Sequence, residues 1–100
     1  MQGPDRTPTR HGEYKVPGGK LVVIDLNLRG NLLSDVRISG DFFLEPPEGL
    51  DDLNRALEGV AIDTPDAQII ARLNAALRPD SEMFGFSAEA VVVVLRRALA

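Results

Sequence analysis

Residues 20–39 read KLVVIDLNLRGNLLSDVRIS, and the period of that stretch decides the fold. Val22, Ile24, Leu26 and Leu28 fall on one side of an extended chain, Asp25 and Asn27 on the other, the alternation of a half-buried strand. Arg29-Gly30-Asn31 turns the chain. A second strand then runs from about Leu33 to Ser39, with Val36 and Ile38 inward and Asp35 and Arg37 outward. Residues that face one another across a ladder share a face, so parity restricts the pairing. Setting Ile24 opposite Val36 puts Asp25 against Asp35, a like-charge pair that costs stability. A shift of two pairs Ile24 with Ile38, Leu26 with Val36 and Asp25 with Arg37, and this is the register expected unless a bulge near Leu32 or Leu33 changes it.

Upstream, Glu13-Tyr14-Lys15-Val16 is extended and ends at Pro17, which disfavours helix for Val16. Pro17-Gly18-Gly19 is a turn. Residues 1–12 (MQGPDRTPTRHG) carry two prolines, two glycines and no core-forming side chain, so a disordered polar tail is expected there, with the folded domain at 13–100. Downstream, Glu45-Pro46-Pro47 stops any ladder and the period becomes helical. Leu50, Leu53, Leu57 and Val60 make one stripe, closed by Gly59. Thr64-Pro65-Asp66 opens a second helix as cap, first-turn proline and acid, with Ile69, Ile70, Leu73, Ala76 and Leu77 as its apolar face. Ser87 caps a third, with Val91, Val94, Leu95 and Ala98 inward and Arg96 and Arg97 near its end. Strands first and helices after, with no alternation, is the pattern of an α+β fold: a three-stranded antiparallel sheet followed by about three helices packed on one face.

Composition excludes several functions. One hundred residues make one domain, enough for a core but not for a core plus a deep substrate chamber. With 15 acidic and 11 basic residues, net charge -4, and the basic residues scattered, there is no footprint for nucleic acid or an anionic membrane. The absence of cysteine removes thiolate metal sites and Cys nucleophiles. The single histidine, His11, falls in the polar tail and reads as solvated. No apolar stretch is long enough for a membrane span, and a cytoplasmic setting is expected. Catalysis by this chain alone is not expected.

Three segments are candidates for chemistry. Lys15-Val16-Pro17-Gly18-Gly19-Lys20 offers backbone amides and two ammonium groups to an anion. A phosphate loop of the NTPase type needs four residues between its glycines and Ser or Thr after Lys, whereas Leu21 follows Lys20 and a strand follows the turn. Read alone it is a hairpin turn with two solvated lysines. In Gly40-Asp41-Phe42-Phe43 the two aromatics cannot both face the core, so one anchors a partner or is buried beneath the Pro46-Pro47 segment. Glu48, Asp51, Asp52 and Glu58 read as a solvated helix face with a structural role.

The run from Tyr14 to Val22, then Leu32 to Leu44 and Glu45-Pro46, resembles the C-terminal accessory domain of lipoate–protein ligases. Lys-x-Pro-Gly-Gly-Lys-Leu combined with Ile-Ser-Gly-Asp-Phe-Phe carries the resemblance, which extends over about residues 13–99. It implies a fold similar to the NifU/SufE proteins. It also implies an accessory role, in which the small domain assembles with a larger catalytic subunit that binds ATP, Mg and lipoate, forms lipoyl-adenylate and passes the lipoyl group to a lysine of an acceptor domain. No cofactor is then expected on this chain alone. Lys15, Pro17, Gly18, Gly19 and Lys20, with Gly40, Asp41 and Phe42, are expected at or near the contact with the catalytic subunit, Lys15 or Lys20 approaching the adenylate. The short polar stretch after Met1 favours a free-standing subunit. An iron–sulfur scaffold fails for want of thiolates. A non-catalytic interaction or regulatory module of the same fold stays open.

Overall fold

The computed structural model describes residues 10–100. Three strands, β1 (Arg10–Lys15), β2 (Leu21–Arg29) and β3 (Leu32–Gly40), form an antiparallel sheet in that order. A short ribbon pairs β4 (Phe43–Glu45) with β5 (Glu82–Phe84). The helices are α1 (Gly49–Leu57), α2 (Asp66–Ala76) and α3 (Ala88–Leu99). The expected architecture, a three-stranded sheet followed by three helices, is the one found.

Ile24 lies opposite Ile38 and Asp25 opposite Arg37, as the charge argument required. The third expected pair, Leu26 with Val36, is replaced by a bulge, since the ladder resumes at Asn27 opposite Ser34. Asp35 is the extra residue and adopts φ 54, a left-handed conformation that Asp tolerates better than most side chains. The bulge therefore falls at Asp35 instead of Leu32 or Leu33. It reverses parity along β3, so Leu33 and Val36 both reach the core.

Val22, Ile24, Leu26 and Ile38 project from the sheet into a core completed by Leu53, Leu57, Ile69, Leu73, Val91, Val94 and Leu95. Helix α3 lies against β1 and β2, α1 against β3, and α2 bridges the two helices. Ser87 caps α3 through its hydroxyl, which accepts the Ala90 amide at 3.2 Å, as the sequence indicates. Helix α2 starts differently: Pro65 occupies the cap position and no side chain caps it, so Thr64 is not the expected cap. Instead the Thr64 carbonyl accepts a 2.6 Å bond from Arg96 of α3, which also bonds the Ile62 carbonyl at 2.7 Å and Asp66 at 2.8 Å.

Order begins earlier than expected. Strand β1 starts at Arg10 and includes His11 and Gly12; the rest of the expected tail, residues 1–9, lies outside the described residues. His11 is thus a strand residue and not part of a tail, exposed yet held by partners. Its Nδ1 is 2.6 Å from Asp25, its cross-strand neighbour, and its Nε2 is 2.8 Å from Glu13. Both carboxylates hold its pKa above the ordinary 6.5, Asp25 more strongly than Glu13.

Of the acids in and around α1, Glu48, Asp51 and Glu58 are exposed as their spacing suggests, and only Asp52 is partly buried. Asp52 pairs with Arg55 at 2.9 Å and Arg78 at 3.2 Å, and hydrogen bonding from Arg55 foremost lowers its pKa. Glu58 sits beyond the end of the helix, where its carboxylate accepts the amides of Asp35 at 3.2 Å and Val36 at 2.6 Å. One turn earlier the Asn54 side-chain oxygen accepts the Ile38 amide at 2.9 Å. Residues 59–62 continue along β3, bonding to Asn31 and Leu33 at 2.8 Å.

Candidate functional site

The hairpin of β1 and β2 closes at Val16-Pro17-Gly18-Gly19. The Gly19 amide donates to the Val16 carbonyl at 2.8 Å, with Pro17 in the first central position and Gly18 at φ 73 in the second. That is a type II turn, for which proline then glycine is the favoured pair. Lys15 folds back over it, its Nζ donating to the Gly19 carbonyl at 2.7 Å and to the Val16 carbonyl at 3.3 Å. The turn is therefore locked by one of the two lysines read as solvated, which stays exposed while it does so.

Pairing then brings the second motif alongside. Val22 lies opposite Gly40, and the Asp41 amide donates to the Leu21 carbonyl at 3.1 Å. Gly40 is at φ 145, and a β-carbon there would collide with the Leu21 carbonyl oxygen. Glycine is required at this crossing by both conformation and space.

A third segment joins them. The Lys20 amide donates to the Gly85 carbonyl at 2.9 Å. Gly85 is at φ 88 with the Lys20 stem lying where its β-carbon would be, and a β-carbon on Gly19 would come within 2.7 Å of the Gly85 oxygen. The next residue, Phe86, is buried and stacks on Phe42, ring centroids 3.9 Å apart and planes 25° from parallel. Of the two adjacent aromatics, Phe42 is thus half-buried against Phe86 and not beneath the prolines, while Phe43 is 69% exposed on β4.

All eight expected positions (Lys15, Pro17, Gly18, Gly19, Lys20, Gly40, Asp41 and Phe42) gather at one end of the sheet, although they come from two separate stretches. Gly85 and Phe86, which complete the patch, were not singled out in the sequence; the Phe84-Gly85-Phe86 pattern before the Ser87 cap was the available sign. The patch presents exposed Lys15, Lys20 and Asp41 around a rigid turn. It has no nucleophile paired with a base, and no group of three metal-ligating side chains occurs among the described residues. A groove of about 290 Å³ lined by Gly59, Val60, Ala61, Thr64, Gln68 and Arg72 lies by the opposite end of β3 and shares no residue with it. No helix among the described residues is long and apolar enough to cross a membrane.

No family model matches the chain. It is 40% identical over 43 residues to lipoate-protein ligase A subunit 2 of Thermoplasma acidophilum, a match spanning 43% of this chain and 46% of that relative, under half the length of each. Its fold is similar to a chain in the structure of a bi-partite lipoate protein ligase and its E2 lipoyl domain from the same archaeon. There the TM-score is 0.65 at 28% identity, with 87% of this chain and 91% of that one covered. In sequence, then, the chain resembles subunit 2 of a lipoate–protein ligase, and in fold a chain of a bi-partite lipoate protein ligase structure, the resemblance its Lys-x-Pro-Gly-Gly-Lys and Gly-Asp-Phe segments first carried.

Proposed function

We propose that this chain is the accessory subunit of a bipartite lipoate–protein ligase. It assembles with a catalytic subunit and supports ATP-dependent adenylation of lipoate and transfer of the lipoyl group to a lysine of an acceptor domain. The observation that carries this reading is the joining of the Lys15–Lys20 turn to Gly40–Phe42 at one end of the sheet, in a chain similar in sequence and fold to such a subunit. The patch lacks groups that could activate a carboxylate by themselves, so its contribution is shape and charge at another protein's active site. ATP, Mg and lipoate belong on the catalytic subunit in this reading. Lys15, held over the turn, and Lys20 supply positive charge near the adenylate. The complex works in the cytoplasm, the compartment that supplies ATP.

Reconstitution tests it. The catalytic subunit from the same organism is mixed with this chain, ATP, Mg and lipoate, and lipoyl-adenylate and lipoylated acceptor are followed with each component omitted. Adenylate formation that requires both proteins is expected. A catalytic subunit that works equally well alone would end the proposal.

A further inference from the structure

The β4–β5 ribbon has two unlike faces. Leu44 and Met83 lie opposite one another and pack inward, where Leu44 covers Gly49 at the start of α1. Side chains alternate along a strand, so the flanking residues share the outer face. There Phe43 lies directly across from Phe84, and Glu45 directly across from Glu82. The two phenyl groups are 69% and 47% exposed, a pair where scattered single apolar residues are the norm.

The glutamates make the arrangement more unusual. Like charges directly opposite on a ladder destabilise it. Neither Glu45 nor Glu82 has an ion-pair or hydrogen-bond partner among the described residues, and what sets them apart from the other unpaired acids is that they stand opposite one another. In the free chain this face therefore exposes two aromatic rings to water beside two acidic residues at directly opposed ladder positions. One kind of group resolves both features: a cation on an apolar stem, attracted by the ring faces and by two carboxylates at once.

We infer that the outer face of the β4–β5 ribbon is a docking surface for the catalytic subunit, seating a lysine or arginine of that subunit between the Phe43–Phe84 and Glu45–Glu82 pairs. The inference rests on the accessory-subunit reading and adds the place and chemistry of contact. Charge complementarity selects the occupant, since a chain of net charge -4 presenting paired glutamates calls for a basic surface. A second copy is disfavoured, because two such faces in contact would bring four carboxylates together. The face also continues from the motif patch: Phe43 follows Phe42, and Phe84-Gly85-Phe86 runs from the ribbon to the Lys20 contact.

Binding of the full chain to the catalytic subunit is measured by titration calorimetry at low and high salt, for the wild type and two double variants. Removing both rings (Phe43→Ala with Phe84→Ala) is expected to weaken binding at least about tenfold, as for buried aromatic anchors. Neutralising both acids (Glu45→Gln with Glu82→Gln) is expected to weaken binding about tenfold and flatten its salt dependence, while raising the melting midpoint of the free chain. Those opposite signs separate docking from stability, and the second variant decides the matter if the first fails to fold. Should the wild type bind and support adenylation while the glutamine variant binds within about twofold of it, the docking inference is wrong and the accessory reading survives. It is equally wrong if the variants lose affinity for the isolated acceptor domain or for a second copy instead. A wild type that does not bind the catalytic subunit overturns both.

Discussion

Gly12 passes so close to Val94 that a β-carbon on it would stand 2.6 Å from the Val94 carbonyl oxygen, and 2.9 Å from the Ala98 nitrogen. Strand β1 and helix α3 meet backbone to backbone at this point, which is how a short strand at the sheet's margin is held to the core. Gly12→Ala must push the helix away, at about 1–3 kcal/mol by the measure of overpacked cores. Denaturant unfolding should record that loss, and unchanged stability would mean that α3 does not lie where it is described.

Glu58 joins α1 to the bulge through the Asp35 and Val36 amides. Glu58→Ala removes the acceptor for both, and a cost of about 1–2 kcal/mol follows from the price of unmet donors near the surface. Glu58→Gln retains one acceptor oxygen and should lose less. Amide exchange at Val36 is the local readout, faster in both variants and fastest in alanine.

Arg96 reaches the Ile62 carbonyl, the Thr64 carbonyl and Asp66, all in the segment that leads into a helix with no side-chain cap. Arg96→Lys cannot reproduce three divergent bonds, so lysine and alanine should both destabilise, by roughly 1.5–3 kcal/mol for alanine. Exchange protection across residues 62–66 should fall before that of the sheet.

The pH dependence has a defined sign. His11 has its folded pKa raised by Asp25 and Glu13, so its stabilising contribution is complete below 6.5 and lost as pH rises through the higher folded value. Asp52 behaves oppositely: with a folded pKa below the ordinary 3.8, it stabilises above that value and ceases to as pH falls through the lower one. An NMR titration of the single histidine should give a midpoint above 6.5, and His11→Ala should flatten the alkaline side of the stability profile. A midpoint at or below 6.5 would rule out the cross-strand pairing.

Lys15 and Lys20 should differ in their variants. Lys15→Ala frees the Gly19 and Val16 carbonyls from their ammonium, so it should loosen the turn as well as reduce lipoyl-adenylate formation by the mixed subunits. Lys20→Ala leaves its amide bond to Gly85 in place and should reduce adenylation with little change in melting. Unaltered adenylation in both, with assembly intact, would remove the lysines from the chemistry.

What could be read in advance was local or depended on charge. Alternation from Val22 to Leu28 and the choice between Arg37 and Asp35 as the partner of Asp25 sufficed for the main hairpin, and Ser87 announced α3. The bulge escaped because Asp35 enters the left-handed region without a glycine to mark it, supported by Glu58 from beyond the next helix. His11 was misplaced because its partners come from pairing with β2, which composition does not reveal. The ribbon was missed because its strands are three residues long and separated by α1 and α2. For the site, both motifs were visible, whereas Gly85 and Phe86 acquire meaning only once the chain has returned to them.

The hydrogen bonds that the Asn54 and Glu58 side chains and the backbone of residues 59–62 make along β3 have one more effect. A sheet margin with bare amides and carbonyls is a template on which other chains can crystallise into fibrils. Here that margin is occupied by the protein's own helix and loop, so concentrated or crowded protein is denied one route into cross-β aggregates.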